Sequence, residues 1–303
     1  MRSQRVVQAP THAYEIRPVN SKRIVKLDVS MSSQQVVLIT GGSSGIGQSI
    51  ARLLARKDFA VFGASRNPHT AEHAPGVEVL PLDVRSDESV RACVDTLLGR
   101  AGRLNVLVNN AGYMLGGAVE EVTIEEARAQ FETNFFGTMR TVKAVLPLMR
   151  QQRSGTIINI SSLAGLVPGP PFCGMYSASK FVLEAYTEHL WREVKPFGIH
   201  VSLVEPGSIK TKLTSNRQEA AERLGDYDRW RRRALEATRR LEENAPEPTL
   251  VADAVLSIIE SESPKLRYKV GKDATWLPRL RQILPGSMFE KQLRKTFDLD
   301  AME

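Results

Sequence analysis

The sequence predicts an α/β fold, a doubly wound parallel sheet with helices on both faces. Short apolar runs rich in β-branched residues alternate with helix-length segments along most of the 303 residues. Strands that alternate with helices pair in parallel through right-handed crossovers. A second observation is the glycine-rich turn at residues 41–47, which lies directly between the first strand and the first helix. A strand, such a turn and a helix start together form a cradle for a pyrophosphate.

Each element follows from a local pattern. The predicted strands are apolar runs at residues 35–40, 60–64, 77–80, 104–109, 156–160, 199–205 and 267–270. The main predicted helices cover residues 48–57, 86–100, 124–150 and 174–195. The second helix opens on Ser86 as its N-cap, and Asp87 and Glu88 complement the helix dipole in its first turn.

The glycine-rich turn is the first candidate binding site. Residues without a Cβ let the backbone approach a phosphate, and the helix start offers free N–H groups and the positive end of its dipole. Glycines in a loop are weak support alone, but the strand before and the helix after are the context that the motif requires. The expected contacts are Gly41, Ser43, Ser44, Gly45, Ile46 and Gly47.

The second candidate motif is Tyr176-Ser177-Ala178-Ser179-Lys180. In a helix, residues i and i+4 share a face roughly 5–6 Å apart, so the Tyr176 phenol should lie beside the Lys180 ammonium. A fixed cation favours the phenolate, and a tyrosine tuned in this way can exchange a proton with an alcohol or a carbonyl oxygen. The same spacing also occurs by chance on solvated helix faces, so the pair needs support from other motifs.

Five motifs occur in one order along the chain. They are Thr40-Gly41-x-x-x-Gly45-Ile46-Gly47, Asn109-Asn110-Ala111-Gly112, Asn134, Ser162 with Tyr176-x-x-x-Lys180, and Pro206-Gly207. In this order and spacing, the chain resembles the short-chain dehydrogenase/reductase family over about residues 34–270. The resemblance implies a Rossmann-type sheet in the strand order 3-2-1-4-5-6-7. It also implies hydride exchange between a nicotinamide cofactor and a carbon that bears the reactive oxygen.

The resemblance assigns catalytic roles to four residues. Tyr176 would give or take the proton, and Lys180 would tune it and hold the nicotinamide ribose. Ser162 would bond the substrate oxygen. Asn134 would bond a backbone carbonyl and hold a water that relays protons toward Lys180. The interval between serine and tyrosine is one residue longer than usual, which leaves Ser161 as an alternative; we prefer Ser162.

The same resemblance implies further cofactor contacts. Asp83, followed by Val84, would meet the adenine amino group after the third strand, although an aspartate there is also typical of a turn or cap. The other implied contacts lie beside the nicotinamide and the diphosphate, and they are Asn110, Ala111, Gly112, Tyr176, Lys180, Pro206, Gly207, Ile209 and Thr211.

The end of the second strand indicates which nucleotide binds. Enzymes that prefer NAD place an acidic residue there for the ribose 2′-hydroxyl, whereas a 2′-phosphate needs a cation. This chain has Ser65 and Arg66 at that point and no carboxylate. Arg66 can bond the phosphate and stack on adenine, and Ser65 can add a hydroxyl. We therefore expect NADP(H); the alternative is that Arg66 is an ordinary exposed loop residue.

Composition argues against several other classes. The net charge is +7, but residues 1–30 hold six basic and two acidic residues, and the basic run at 229–233 continues into mixed charges. We therefore expect no nucleic-acid partner. Two cysteines, Cys93 and Cys173, are too few and too isolated for a disulfide framework or a metal site. No run approaches the roughly 18 apolar residues of a membrane span, and we expect a cytoplasmic protein.

We expect residues 34–303 to form one domain after a disordered extension at 1–33, with Met31 as an alternative start. Residues 207–245 should form a helical lid with room for more than a very small substrate. The basic amphipathic pattern at 274–297, broken at Pro285-Gly286, predicts two helices that pack against the substrate pocket or a neighbouring subunit. Contact with a membrane surface is the alternative.

These features predict an NADP(H)-dependent oxidoreductase that interconverts a carbonyl and an alcohol of a small molecule. Residues 181–185 and the long lid are similar to retinol- and hydroxysteroid-dehydrogenase-like members of the family, which implies a lipophilic substrate. We also expect a homo-oligomer, a dimer or a tetramer. The alternative function is an NADP(H)-sensing binding protein without turnover; intact Ser162, Tyr176 and Lys180 favour the enzyme.

Overall fold

The computed structural model describes residues 34–68, 74–211 and 217–299, so the predicted extension at 1–33 lies outside the described residues. The strands in chain order are β1 (Val36–Thr40), β2 (Ala60–Ser65), β3 (Val77–Pro81), β4 (Val106–Asn109), β5 (Leu115–Gly116), β6 (Gly155–Ile160), β7 (Ile199–Pro206), β8 (Gln218–Glu219) and β9 (Arg267–Val270). The α-helices are α1 (Gly45–Arg56), α2 (Asp87–Ala101), α3 (Ile124–Phe131), α4 (Gly137–Gln152), α5 (Gly174–Val194), α6 (Asp228–Glu243), α7 (Thr249–Ile259), α8 (Lys272–Ile283) and α9 (Gly286–Thr296).

The main sheet has the predicted topology. Its order is β3-β2-β1-β4-β6-β7-β9, and all neighbouring pairs are parallel. Counted without the two-residue strands, this is the order 3-2-1-4-5-6-7, so the predicted doubly wound fold is confirmed. All five residues of β1 are buried, as expected for a strand that helices cover on both faces.

Two apolar cores hold the helices against the sheet. On one face, α2 and α4 contribute residues such as Val90 and Val142. On the other face, α1 and α7 contribute residues such as Ile50 and Val251. Full burial of one such side chain contributes roughly 1.5–3 kcal/mol, so these layers fix the sheet on which the site is built. Cys93 lies in the first core.

The long helix predicted over residues 124–150 is interrupted. It consists of α3, a π-helical turn at Glu132–Phe136, and α4. A π turn adds one residue to a helical turn and occurs frequently at functional sites. This one contains Asn134, which is 1% exposed. A single added residue barely changes the apolar periodicity, and the sequence therefore did not predict the interruption.

Two further parts of the chain pack beside the carboxyl ends of the strands. The segment expected to form the lid contains β8, which pairs with β5, and α6; its residues 212–216 lie outside the described part. Helices α8 and α9 meet at Pro285 and bury Phe289 and Leu293 against Val167 and Ala237. The C-terminal helices thus pack on this chain itself. Among the described residues, no helix has the length and apolar character needed to cross a membrane.

Candidate active site

Tyr176 and Lys180 lie side by side on the first turns of α5. Both side chains are buried, with 7% and 6% of their surface exposed. The Lys180 Nζ lies 5.8 Å from the centroid of the Tyr176 ring and donates a hydrogen bond of 2.9 Å to the carbonyl of Ile160, the last residue of β6. Helix α5 thus places the phenol and the ammonium together at the carboxyl end of β6, a central strand.

Burial controls the ionisation of both groups. It raises the pKa of Tyr176 to about 12, while a hydrogen bond with the Ser162 hydroxyl acts in the opposite direction. Burial also lowers the pKa of Lys180 to about 8, while the Glu184 carboxylate raises it. The pKa of Tyr176 is therefore raised, whereas the sequence led us to expect that the neighbouring ammonium would lower it. At neutral pH the site therefore holds a protonated phenol, which is able to donate a proton.

The two candidate serines lie in different environments. Ser162 caps a short 3-10 turn, and its Oγ accepts a hydrogen bond of 3.1 Å from the backbone N–H of Ala164. Its side chain also contacts the Tyr176 phenol. Ser161 is 4% exposed and lies beside Glu184, but its hydroxyl makes no hydrogen bond of normal geometry within the described residues. Only Ser162 therefore stands beside the phenol.

Asn134 links the π turn to two neighbouring segments. Its Nδ2 donates to the carbonyl of Tyr113 at 3.0 Å and to the Ser179 hydroxyl at 3.2 Å. Its Oδ1 accepts from the backbone N–H of Tyr113 at 3.1 Å. The backbone-carbonyl bond that the family resemblance implied is thus present. A Cβ at Gly112 would lie 3.1 Å from this Oδ1, so Gly112 leaves space for the amide.

The glycine-rich turn has the shape of an anion cradle. Gly41 and Gly45 have positive φ, and a Cβ at Gly45 would meet no atom within 4 Å. Helix α1 begins there with Ser44 as its N-cap, whose side chain makes no capping hydrogen bond, and its first turn has no acidic residue. The free N–H groups of a helix start attract anions. This open, acid-free end of α1 therefore fits the phosphates of a dinucleotide.

Side chains at the ends of β1 and β4 hold the glycine-rich turn in place. The Thr40 Oγ1 accepts from the backbone N–H groups of Asn110 and Ala111, each at 3.0 Å. The Asn110 Nδ2 donates to the carbonyls of Thr40 and Gly41, each at 3.1 Å. A Cβ at Gly47 would collide with the Gly41 carbonyl. The structure thus brings the predicted cofactor residues Gly41, Gly47, Asn110 and Ala111 together.

Ser65 and Arg66 lie where β2 ends. Arg66 is exposed. The Ser65 Oγ is buried and has no hydrogen-bond partner within the described residues. A buried hydroxyl without a partner costs free energy, and an added acceptor such as a phosphate oxygen would remove this cost. The residues at this position therefore fit a phosphorylated ribose.

Asp83 has a partner that the sequence did not reveal. Its carboxylate accepts hydrogen bonds from the Arg85 backbone and guanidinium, with a shortest distance of 2.7 Å. This contact lowers the pKa of Asp83 to about 2, and Arg66 adds to the effect. Arg85 is therefore a second arginine near the proposed nucleotide end of the site. Val84 is buried and packs against Gly137. The adenine contact of Asp83 remains a prediction.

The loop after β7 is held by Asp273 of α8. Its carboxylate accepts from the backbone N–H of Ser208 at 2.6 Å and fills the space that a Cβ at Gly207 would occupy. Gly207 also donates to the carbonyl of Val270 at 2.9 Å. Pro206 ends β7 and Ile209 is buried, whereas Thr211 borders the residues that are not described. Their contacts with the cofactor remain predictions.

A buried ion pair fastens the lid segment to the body. Arg231 of α6 and Glu121 are 4% and 1% exposed, and the guanidinium donates to the Glu121 carboxylate. The same carboxylate accepts from the backbone N–H groups of Ala118 at 2.7 Å and Leu224 at 2.8 Å. The sequence did not indicate this pair, because Arg231 belongs to a run of arginines without a periodic distinction.

The surroundings of the phenol are apolar. Met114, Ala164 and Cys173 form a buried cluster with Tyr176. A separate groove of about 780 Å³ lies on the outer side of α5, with Val119, Phe181 and Tyr227 among its lining residues. Neither Ser162 nor Tyr176 lines this groove, so we do not assign it to the reacting groups. The apolar cluster is the wall nearest to the proposed proton donor.

Comparison with known proteins identifies the family. The family description "short chain dehydrogenase" matches residues 35–222. A 3-ketodihydrosphingosine reductase of Bacteroides thetaiotaomicron is 42% identical over 80% of this chain and 93% of that protein. The bovine (Bos taurus) retinol dehydrogenase 8 is 39% identical over 84% of this chain and 88% of that protein.

Solved structures agree with this match. A short-chain dehydrogenase from Streptomyces avermitilis superposes with a TM-score of 0.72 at 35% identity, over 87% of this chain and 98% of that one. A relative from Burkholderia phymatum in complex with NAD has a TM-score of 0.70 at 26% identity, over 86% and 95% of the two chains. ElxO with NADP bound has a TM-score of 0.64 at 25% identity, over 80% and 98%. The chain therefore belongs to the short-chain dehydrogenase/reductase family of oxidoreductases.

Proposed function

We propose that the protein is an NADP(H)-dependent oxidoreductase that reduces the carbonyl group of a lipophilic substrate to an alcohol and catalyses the reverse oxidation. The observation that carries the proposal is the grouping of the half-buried Ser162 with the buried Tyr176 and Lys180 at the carboxyl end of β6. A binding protein that only senses the nucleotide has no chemical need for a proton donor, its hydroxyl partner and a neighbouring ammonium.

In this mechanism the bound nicotinamide supplies the hydride chemistry. Ser162 bonds the substrate oxygen and orients it toward the phenol. Tyr176 donates its proton to that oxygen during reduction and accepts it during oxidation. Lys180 holds a positive charge near the phenol, which stabilises the phenolate left after proton donation. Asn134 holds the chain at Tyr113 in place beside α5, and we propose that it also orients the relay water.

The preference for NADP(H) rests on the end of β2. Within the described part of the chain, the Ser65 hydroxyl has no hydrogen-bond partner and Arg66 is exposed, and both side chains suit a 2′-phosphate. Neither residue is the carboxylate that would repel such a phosphate. Arginine binds phosphate with charge-assisted, often bidentate hydrogen bonds. Structural neighbours hold either NAD or NADP, so the preference is argued from these residues of this chain.

The lipophilic substrate is argued from the walls of the site. Met114, Ala164 and Cys173 surround the phenol without offering a charged group. The lid is long, and its helix α6 packs against the apolar residues of α9. Two relatives bear names that refer to a retinol and a ketodihydrosphingosine, molecules that both have a long hydrocarbon part. We propose a substrate of the same general character.

A panel of carbonyls and alcohols, assayed with NADPH, NADH and their oxidised forms, tests the proposal. We expect turnover of an apolar carbonyl with NADPH. Tight NADPH binding without turnover of any substrate would support the sensing alternative instead.

We also propose that the protein forms a homo-oligomer and acts in the cytoplasm. Light scattering on the purified protein tests the oligomer, and a monomer at micromolar concentration would contradict it.

A further inference from the structure

A cluster of buried charged residues lies next to Lys180, the proposed catalytic lysine. Glu184 of α5 and Glu205 of β7 are 5% and 0% exposed. Arg267, at the start of β9, donates one guanidinium nitrogen to both carboxylates and another to Glu188. Burial of ions costs several kcal/mol each unless they are paired. Residues from α5, β7 and β9 therefore form one buried, paired cluster of charges.

The cluster is directed toward Lys180. Glu184 lies one helical turn after Lys180 on α5, and its carboxylate raises the pKa of Lys180 against the effect of burial. Gly165 packs over both residues, because a Cβ there would lie 3.0 Å from the Glu184 Cγ and 3.0 Å from the Lys180 carbonyl oxygen. A glycine at this position lets the helix with its two charges lie close to the turn after Ser162.

Arg267 does not provide a hydrogen bond to every carboxylate oxygen of Glu184 and Glu205. The Glu184 Oε1 and the Glu205 Oε2 are buried without a hydrogen-bond partner among the described residues. Arg267 is thus shared among the three carboxylates of Glu184, Glu188 and Glu205, and Lys180 is the second cation that acts with Glu184. Burial and the neighbouring Glu205 carboxylate together raise the pKa of Glu184 to about 7, while Ser161 and Arg267 oppose the increase.

The groups that face Glu184 come from every element around it. They are Lys180 and Glu188 of α5, Ser161 after β6, Glu205 of β7 and Arg267 of β9. Glu188 forms ion pairs with both Arg267 and Arg192. Among these groups, Glu184 is the carboxylate that acts on Lys180.

We propose that Glu184 is a positioning residue for the reaction, whose carboxylate, held by Arg267, supplies the counter-charge that keeps the Lys180 ammonium charged beside Tyr176. This inference rests on the proposed function, since it assigns Lys180 a role in the reaction. Glu184 does not touch the reacting atoms. Its effect is exerted through the charge of Lys180.

Glu184→Gln tests the inference, because it keeps the shape of the side chain and removes the charge. In the wild type, the pH dependence of kcat/KM for carbonyl reduction should show an alkaline decrease as Lys180 loses its proton. Without the counter-charge we expect the midpoint of this decrease to fall by about one pH unit or more. Glu184→Asp retracts the charge by one methylene and should lower the midpoint less. Glu193→Gln, an exposed change on the same helix, is the matched control.

A second readout separates this inference from the proposed function. The pH dependence of NADPH binding, followed by the fluorescence of the bound nucleotide, requires no turnover. Its alkaline midpoint should fall in Glu184→Gln as well, because Lys180 is expected to bond the nicotinamide ribose. Absence of turnover in the wild type would refute the proposed function, but the pH midpoint of NADPH binding would still test the role of Glu184. If Glu184→Gln does not fold, Glu184→Asp is compared with the wild type instead. Midpoints equal to those of the wild type in the folded variants would overturn the inference.

Discussion

The Lys180 ammonium is bonded to the carbonyl of Ile160 at 2.9 Å, at the last residue of β6. This contact joins the helix that carries the phenol to the strand that leads into Ser161 and Ser162. A lysine bonded to fixed backbone loses little freedom when a ligand arrives, so the site is pre-organised for the cofactor.

Tyr176→Phe should abolish turnover and leave NADPH affinity within a few-fold of the wild type. The substitution removes the proton donor and keeps the ring in its apolar surroundings. Steady-state assays and a fluorescence titration of NADPH measure the two effects. Tyr186→Phe, a change of the same kind further along α5, is the control and should retain activity. Substantial turnover by Tyr176→Phe would show that another group donates the proton.

Arg66→Ala should raise the KM for NADPH by roughly ten- to a hundred-fold, since a hydrogen bond to a charged group contributes about 1.5–3 kcal/mol. The KM for NADH should stay almost unchanged. Ser65→Asp in the same background should increase the preference for NADH by repelling the phosphate. Arg52→Ala, an exposed change on α1, controls for lost positive charge. Equal weakening of both cofactors would contradict the assignment to NADP.

The pH dependence of reduction should follow Lys180. Its pKa is lowered to about 8, so the ammonium is present below that pH and is lost as the pH rises through it. The phenol, with a pKa raised to about 12, stays protonated across this range. We therefore expect kcat/KM, which reports groups of the free enzyme, to decrease with a midpoint near pH 8. A profile that stays flat to pH 9.5 would be inconsistent with this role.

Arg231→Met should loosen the lid, because it leaves the Glu121 carboxylate buried without its ionic partner. Breaking a buried pair from one side typically costs about 3–5 kcal/mol. We expect a lower midpoint in urea unfolding and faster proteolysis between residues 217 and 243. Arg232→Met removes an exposed neighbour and should have little effect. Equal proteolysis rates in the two variants would show that the pair does not hold the lid.

Gly47→Ala should reduce both stability and NADPH affinity, because its Cβ would collide with the Gly41 carbonyl and displace the turn. Gly99→Ala is the matched control in α2, where a Cβ would meet no atom within 4 Å. In a helix interior that exchange should stabilise the protein by about 0.5–1 kcal/mol. Thermal unfolding with and without NADPH measures both. A Gly47→Ala variant that binds NADPH like the wild type would contradict the proposed cradle.

Local patterns were sufficient for much of this fold. The apolar, β-branched run of β1 and the helical periodicity of α1 are both visible in the local sequence, because burial on both faces requires a strand to be apolar throughout. Ser86 was predicted as a helix cap, and it accepts from the backbone N–H of Ser89 at 3.1 Å. The pairing of Tyr176 with Lys180 likewise follows from helix geometry alone.

The sequence by itself therefore determined the order of the seven main strands, the family and the main residues of the proposed site. Only the tertiary structure decided their electrostatics. Burial of Tyr176 raised its pKa where an adjacent cation alone would lower it. Glu184, Glu205 and Arg267 became one cluster because parallel pairing places β9 beside β7. Arg267 lies more than sixty positions from both glutamates in the sequence. A local sequence pattern cannot show that residues so far apart will meet in the folded interior.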